Sequence, residues 1–336
     1  MKNFSLPPLT SLMVNLVEEI GEQLGALGNL SAFWNELVLR RLSRVRSIQG
    51  SLEIEGNSLS VQQVTAVLDG DLVISNSRDV LEVKNAVEAY DLLSKWSAES
   101  SSDLLAAHRI LMAGLIEDAG KYRRRAVGVK GNGVLVHVAP PAHMVHALMK
   151  ELFDFVCSLD LSPLITSSIF HYEFEYIHPF SDGNGRLGRL WQNLMLYSWK
   201  PVFQYLPIES VIRDNRKEYY LALNKSNREN HSGSFVEFML QVILDTLNSI
   251  QETPVMTSVA PPVKKLLFLL EKEDTLGNKA LLLKLQLKDR RRMRETYIKP
   301  AMALGYIEYT IPEKPHSRYQ QYRLTVNGIQ FVKDVK

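Results

Sequence analysis

Seven residues that could do chemistry fall between positions 178 and 189: His178, Asp182, Gly183, Asn184, Gly185, Arg186 and Arg189. The glycines around Asn184 allow a tight turn with bare backbone N–H groups. Helical periodicity resumes at once with Leu187, Leu190, Trp191 and Leu194. Those N–H groups therefore open a helix, where unpaired donors and the aligned dipole favour an anion. Arg186 and Arg189 lie in its first turn, three residues apart on one face. Each opposes the dipole there, at a cost of about 0.3–1 kcal/mol. Two cations make sense at that end if a multiply charged anion covers them, and a polyphosphate would do so. Asp182 is the one acid in the loop. A carboxylate beside phosphate oxygens is the usual way to hold Mg²⁺. His178 ends the preceding helix, and a neutral imidazole can take the proton of an incoming hydroxyl. Taken singly, each residue reads better as part of a turn or a surface; taken together, the clustering points to a phosphate site. The Gly-Lys-Ser/Thr of a P-loop is missing, as are the longer acidic series and closing Glu of an EF-hand.

The elements that must position this loop are mostly helical. Residues 10–48 show helical periodicity, with Leu12, Leu16, Ile20, Leu24 and Leu27 on one face and Leu37, Leu39 and Leu42 on another. Ser60 is placed to cap a helix beginning near Val61. Helices are expected over 80–96, 103–117, from Pro140-Pro141 to about 159, and over 164–177, 215–226 and 234–250. Val127, Val129, Val134, Val136 and Val138 surround Lys130-Gly131-Asn132-Gly133, which predicts a β-hairpin around an Asn-Gly turn. Residues 253–262 have the Pro/Ser/Thr content of a linker. Beyond it come three short helical segments, 263–272, 279–287 and 290–304, then strands over 306–311 and 319–325. Helices followed by a hairpin predict a winged helix-turn-helix.

Composition narrows the setting. One cysteine, Cys157, allows no intrachain disulfide framework and suits a reducing compartment. No secretory signal is legible before Pro7-Pro8, and no apolar run approaches the ~18 residues of a membrane span. A cytoplasmic protein with no membrane partner is expected. The net charge of +2 hides an asymmetry. Residues 261–336 hold sixteen Lys and Arg against eight Asp and Glu, or +8, which leaves −6 for the rest. A basic module can attract double-stranded DNA, and the run Arg290-Arg291-Arg292-Met293-Arg294 could contact phosphates; a solvated helix face is the other reading. His143 and His146 have a zinc-ligand spacing but no accompanying Cys or acid cluster, so packing or solvent contact is the better reading. His171, on the same helix face as His178, is expected to be structural.

The loop resembles the signature of the Fic family, H-P-F-x-(D/E)-G-N-G-R-x-x-R, matched at every position by His178 to Arg189. Similarity extends over roughly residues 45–245. Tyr122-Arg123 and the valine-rich hairpin resemble the family's flap, and Glu218-Tyr219-Tyr220 with Asn227 resemble its adenosine-contacting region. The segment Ser51-Leu-Glu-Ile-Glu55-Gly56-Asn57 resembles its inhibitory motif, (S/T)-x-x-x-E-(G/N). The resemblance implies a mainly α fold: a Fic-type helical core with a small β-hairpin flap and, here, a C-terminal winged helix-turn-helix. It places an N-terminal helical region at 1–100 with the inhibitory helix at about 45–57, the catalytic core at 101–252, and the winged-helix-like domain at 261–336.

It also implies a reaction, AMP transfer from ATP to a Ser, Thr or Tyr hydroxyl of a target protein. His178 would be the general base and Asp182 the Mg²⁺ ligand. Gly183, Asn184 and Gly185 would cradle phosphates, with Leu187 and Gly188 in the same ATP-binding stretch. Arg186 would take the α/β-phosphates and Arg189 the γ-phosphate, while Phe180 would anchor the loop. Tyr219, Tyr220 and Asn227 would meet the adenosine. Val134, Val136 and His137 would dock the target by strand addition. Glu55, with Ser51, would inhibit by holding Arg189. The related Doc toxins phosphorylate instead, but carry Lys at the position of Gly185. Besides ATP and the target protein, double-stranded DNA at 261–336 and a second copy of the chain are candidate partners. Two other functions stand beside transfer: removal of AMP by the same site, and a DNA-binding regulator whose core senses nucleotide. The intact His178 weighs against a purely sensory core, since nucleotide binding needs no base.

Overall fold

The computed structural model describes residues 4–28, 37–131, 134–252, 261–287, 289–311, 313–314, 317 and 319–335. These fall into two compact units, residues 1–248 and 249–336.

In the first unit, α1 (Ser11–Gly28) and α2 (Leu37–Ile54) precede α3 (Val61–Leu68), α4 (Ser77–Asp91) and α5 (Ser101–Leu111). Ser60 caps α3 through a capping box with Gln63. Helix α2 runs unbroken through Gly50 to Ile54, so the periodic stretch to 48 and the inhibitory helix expected at about 45–57 are one helix. The reason is a helix the periodicity did not reveal, α9 (Ile208–Asp214). It crosses so closely that a Cβ at Gly50 would lie 2.8 Å from backbone atoms of Glu209 and Ser210. Conversely α5 stops six residues short of the expected 117. Gly114 adopts φ +71°, and the Asn85 amide caps the Leu111 and Ala113 carbonyls at 3.2 and 2.8 Å.

A two-stranded antiparallel hairpin follows, β1 (Gly128–Gly131) and β2 (Val134–Val138), with a register shift between Val129 and Lys130. The expected turn at Asn132-Gly133 lies outside the described residues. Then come α6 (Val145–Cys157), α7 (Pro163–Ile177) and α8 (Asn184–Trp199). Helix α7 is buried nearly all round, from Leu164 to Phe174, as befits a helix at the centre of a core. It packs along α8, whose Leu187, Leu190, Trp191 and Leu194 belong to the same cluster as Phe170, Phe174, Ile177 and Phe180. The loop 178–183 joins these two helices and inherits their rigidity. Helices α10 (Arg216–Glu229) and α11 (Gly233–Glu252) complete the unit.

The second unit contains α12 (Pro261–Glu273), β3 (Thr275–Gly277) and α13 (Asn278–Lys284). A longer helix, α14, follows: Arg290–Met293, a π-turn over Arg294–Ile298, and Lys299–Ala303. Strands β4 (Ile307–Tyr309) and β5 (Gln321–Leu324) then precede α15 (Val326–Val335). The sheet order is β3-β5-β4, antiparallel throughout. Strand β3 was not expected, being too short for period-2 alternation to register. Nor was α15, which carries Gly328; a Cβ there would collide with the Tyr306 backbone, so the glycine serves close packing.

Candidate active site

His178 ends α7 in the left-handed conformation, φ 49° and ψ 62°. A non-glycine residue there is strained unless its surroundings impose it, and Arg123 does so. The Arg123 guanidinium is buried and donates to four carbonyls: Nε to His178 (2.7 Å), Nη2 to Pro140 (2.6 Å) and Ile177 (3.2 Å), and Nη1 to Arg125 (3.0 Å). Its backbone N–H donates to Pro179 O at 2.9 Å. One side chain thus ties residues flanking the hairpin at both ends to the backbone of the candidate base.

The loop is folded around Phe180, which is fully buried. The Asn184 amide closes it, with Oδ1 accepting from Phe180 N–H (2.9 Å) and Nδ2 donating to Phe180 O (3.0 Å). The Asn184 side chain is therefore a staple, and only its backbone is left to meet a ligand. His108 stacks on Phe180 with centroids 3.6 Å apart. Its Nδ1 accepts from Gly120 N–H at 2.8 Å, so Nε2 carries the proton and donates to Asp182 O at 2.9 Å. Burial holds this imidazole down at about 4, neutral at pH 7. Gly183 has φ +85° and also abuts Met112 and His108, so a Cβ is excluded twice.

Both arginines of α8 are buried and both face acids. Arg189 donates from Nη2 to Glu55 Oε1 (2.8 Å) and Ser51 O (2.9 Å), and from Nε to Ser51 Oγ (3.1 Å). Glu55 sits at the C-terminal end of α2, where Gly56 (φ +97°) turns the chain and Asn57 N–H returns to Leu52 O. The Glu55 carboxylate covers Gly185 so tightly that a Cβ there would collide with it. Arg186 donates to Glu82 Oε1 (3.1 Å) and Asp182 Oδ1 (2.9 Å). Glu82 in turn accepts from Asn57 Nδ2 at 2.9 Å. Two nitrogens, Arg189 Nη1 and Arg186 Nε, are buried without a hydrogen-bond partner among the described residues.

The structure brings together His178, Asp182 to Arg186, Arg189, Glu55 and Ser51. It puts other expected residues elsewhere. Leu187 is a core side chain, and Gly188 faces Glu175, His171 and Phe174 on α7; its lack of a side chain serves helix packing rather than a phosphate. Tyr219 is fully buried, with its hydroxyl 3.1 Å from His171 Nε2. His171 Nδ1 meets Gln192 Oε1 at 2.6 Å, and burial drives that imidazole down to about 3, so His171 is structural. Asn227 accepts from the Tyr172 hydroxyl at 3.0 Å. Tyr220 is half-buried and nearer the site, its phenol pushed up by burial and by the Glu55 carboxylate. In the flap, Val134, Val136 and His137 lie on β2, with Val134 opposite Gly131 and His137 opposite Val129; their side chains lie outside the described residues. His146 packs edge-on against Tyr122, and no group of three or more potential metal-ligating side chains occurs among the described residues.

Sequence reasoning missed Arg123 as a clamp, His108, Glu82 and Glu175. Arg123 carried a local signal beside Tyr122, and Glu175 stands only three residues before His178; His108 and Glu82 reach the loop from helices distant in sequence. Asp182 suits a hard cation that keeps most of its waters. Its side chain is 42% exposed, and among the described residues Oδ2 has a long 3.5 Å contact to Arg78.

The Fic/DOC family model matches residues 98–196, and that of the C-terminal domain of Filamentation induced by cAMP protein Fic-like matches 261–325. Protein adenylyltransferase Fic of Nematostella vectensis is 28% identical over 240 residues, 66% of this chain and 53% of that protein. Protein adenylyltransferase fic-1 of Caenorhabditis elegans is 32% identical over 206 residues, 56% of this chain and 38% of that one. The chain thus spans about half or less of the length of these curated relatives. A Fic domain containing signaling protein from Bacteroides thetaiotaomicron shares the fold, at 21% identity over 71% of this chain and 95% of that one, with a TM-score of 0.54. A Fic family protein of known structure from Desulfovibrio desulfuricans G20 is 43% identical, covers 96% of this chain and 99% of its own, and has a TM-score of 0.73. With that identity along nearly the whole of both chains, and the complete His178–Arg189 loop folded at a helix N-terminus, this protein belongs to the Fic family.

Proposed function

We propose that this chain transfers the AMP moiety of ATP to a Ser, Thr or Tyr hydroxyl of a protein. The observation that carries the reading is the start of α8, where two buried arginines each face a carboxylate beside the clamped His178. The carboxylates of Glu55 and Glu82 meet the guanidinium groups that phosphate oxygens would meet. With ATP there, His178 takes the proton of the target hydroxyl, the hydroxyl oxygen bonds to the α-phosphorus, and the bond to the departing pyrophosphate breaks. The backbone N–H groups at the start of α8 and the two arginines stabilise the charge that develops. Catalysis of this kind is positioning and electrostatics. Asp182 and phosphate oxygens would hold Mg²⁺, which supplies charge neutralisation at the phosphates. The names of the curated relatives support the same reaction. In the conformation seen, Glu55 and Ser51 hold Arg189, so the reading includes inhibition by Glu55. ATP labelled on the α- or the γ-phosphate, with cell lysate as acceptor, tests it. Label on protein from α only supports AMP transfer; label from γ only makes the chain a kinase.

For the second unit the order helix, strand, helix, helix, strand, strand supports a winged helix-turn-helix. Four arginines at the start of α14 are exposed while Met293 and Ile298 are buried, which supports weak binding of double-stranded DNA. A band-shift assay at low salt with the full chain tests this, and no shift with Arg290→Ala/Arg291→Ala as control would favour a protein partner. A cytoplasmic location goes with ATP as co-substrate; among the described residues no helix is long and apolar enough to cross a membrane.

A further inference from the structure

Glu175 lies in the last turn of α7, three residues before His178. Its side chain is 12% exposed, and Oε2 stands 4.0 Å from His178 Nδ1. The other oxygen, Oε1, is buried with no hydrogen-bond partner among the described residues. Gly188 makes the room it occupies, since a Cβ there would lie 3.0 Å from Oε1. A carboxyl group kept out of water is costly unless something meets its charge. Burial, and next the Glu55 carboxylate, push Glu175 up to about 8 against the pull of Arg189. Arg189 is the permanent cation that pulls on it, but its Nε and Nη2 are committed to Ser51 and Glu55 and its Nη1 makes no hydrogen bond to it. That leaves a group whose charge changes. In the proposed reaction His178 is neutral before proton transfer and an imidazolium after it.

We propose that Glu175 is a positioning residue for His178, its Oε2 accepting the imidazole Nδ1–H so that Nε2 is the bare nitrogen facing the target hydroxyl. The step balances without any new reactant. The hydroxyl proton moves to Nε2, the Nδ1–H remains shared with Glu175, and the carboxylate stabilises the imidazolium. A separation of 4.0 Å is long for a hydrogen bond, but such pairs often tighten only when the substrates are bound. Release of Glu55 from Arg189 removes a negative charge from beside Glu175 and so favours the carboxylate that the role requires. Glu55 then restrains the site twice, at the phosphate arginine and at the partner of the base.

The inference rests on the AMP-transfer reading for its kinetics but not for its geometry, so the test has two arms. Full-length protein in the Glu55→Gly background is compared with and without Glu175→Gln. The pKa of the His178 imidazole is followed by NMR, with its signal assigned by its loss in His178→Ala. Loss of a carboxylate beside an imidazolium should lower that pKa by about 1 unit or more, while the ATP Kd stays within about twofold. The kcat for AMP transfer should fall roughly tenfold, in proportion to one such unit, with KM for ATP unchanged and part of the loss recovered by Glu175→Asp. An unmoved His178 pKa in folded Glu175→Gln overturns the proposal. If ATP affinity changes instead, Glu175 serves Arg189. A shifted pKa in a protein whose Glu55→Gly parent transfers no AMP would uphold the pairing and overturn the proposed function.

Discussion

Helices α8 and α14 both begin with arginines, and the two sets live in opposite surroundings. Arg186 and Arg189 are 6% and 2% exposed, and each is met by acids from α2, α4 or the loop itself. Arg290, Arg291, Arg292 and Arg294 are all exposed, and α14 is capped by Asp289, whose Oδ1 accepts from Arg291 N–H at 2.8 Å. A buried cation must be paired or its desolvation is uncompensated; an exposed one need not be. A ligand displacing Glu55 would therefore have to bring its own anionic oxygens to the same guanidinium groups. The second set can attract any polyanion by releasing counterions, with little geometric demand.

The largest effect expected of the first region is on its base. His178→Ala should reduce AMP transfer by ~10²–10⁴-fold, while calorimetry finds ATP affinity nearly intact, because the base acts on the hydroxyl. Substantial activity in a folded His178→Ala protein would remove it from the mechanism. Next comes the occupied arginine. Glu55→Gly should raise transfer by ~10²-fold, the scale on which a small misplacement of reacting groups acts. It should also lower the Tm without nucleotide, since Arg189 is then buried unpaired, and added ATP should restore it. Arg189→Ala should not be rescued by Glu55→Gly. A fall in transfer by Glu55→Gly while ATP still binds would instead favour Glu55 as the residue that positions water for AMP removal.

Acid should separate the two units. His108 and His171 are held down to about 4 and about 3 from 6.5, so the unfolded chain binds their protons first. Their contribution to stability is complete above about pH 6.5 and is lost as pH falls toward 4, at ~1.4 kcal/mol per unit for each group. Glu175 acts with the opposite slope. Its carboxyl, raised to about 8 from 4.5, weakens the folded state as pH rises between those values. Calorimetry from pH 7 to pH 4 should show the first unit's transition moving to lower temperature. The second unit, with no histidine among its described residues, should move less. Equal shifts in both would detach the effect from the buried imidazoles. The smallest effects belong to α14, where replacing any one of Arg290, Arg291 or Arg294 by Ala should weaken DNA binding evenly across sequences and reduce the salt slope by about 1. A loss confined to one sequence would mean the arginine reads bases and α14 is not merely electrostatic.

Much of the site was legible because its residues are contiguous. A turn needing glycines, a helix start and two cations on one face are local requirements, and local requirements leave a local pattern in the chain. The same holds for Ser60 as a cap and for the helical core with a valine-rich hairpin. The loop from His178 to Arg189, the segment from Ser51 to Asn57 and the basic character of the last 76 residues could therefore be read along the chain. What those pieces face depends on helices that come together only in the fold. Glu55 and Arg189 lie 134 positions apart and meet because α2 runs on through Gly50 against α9. Glu82 comes to Arg186 across 104 positions, and His108 to Asp182 across 74. Tyr219 looked like a ligand contact by position, yet it completes a hydrogen-bonded core with His171. Gly188 was expected only as part of the ATP-binding stretch, and in the fold it makes room for Glu175. A buried charge acquires its meaning from its partner, and no spacing along the chain specifies a partner brought from another helix.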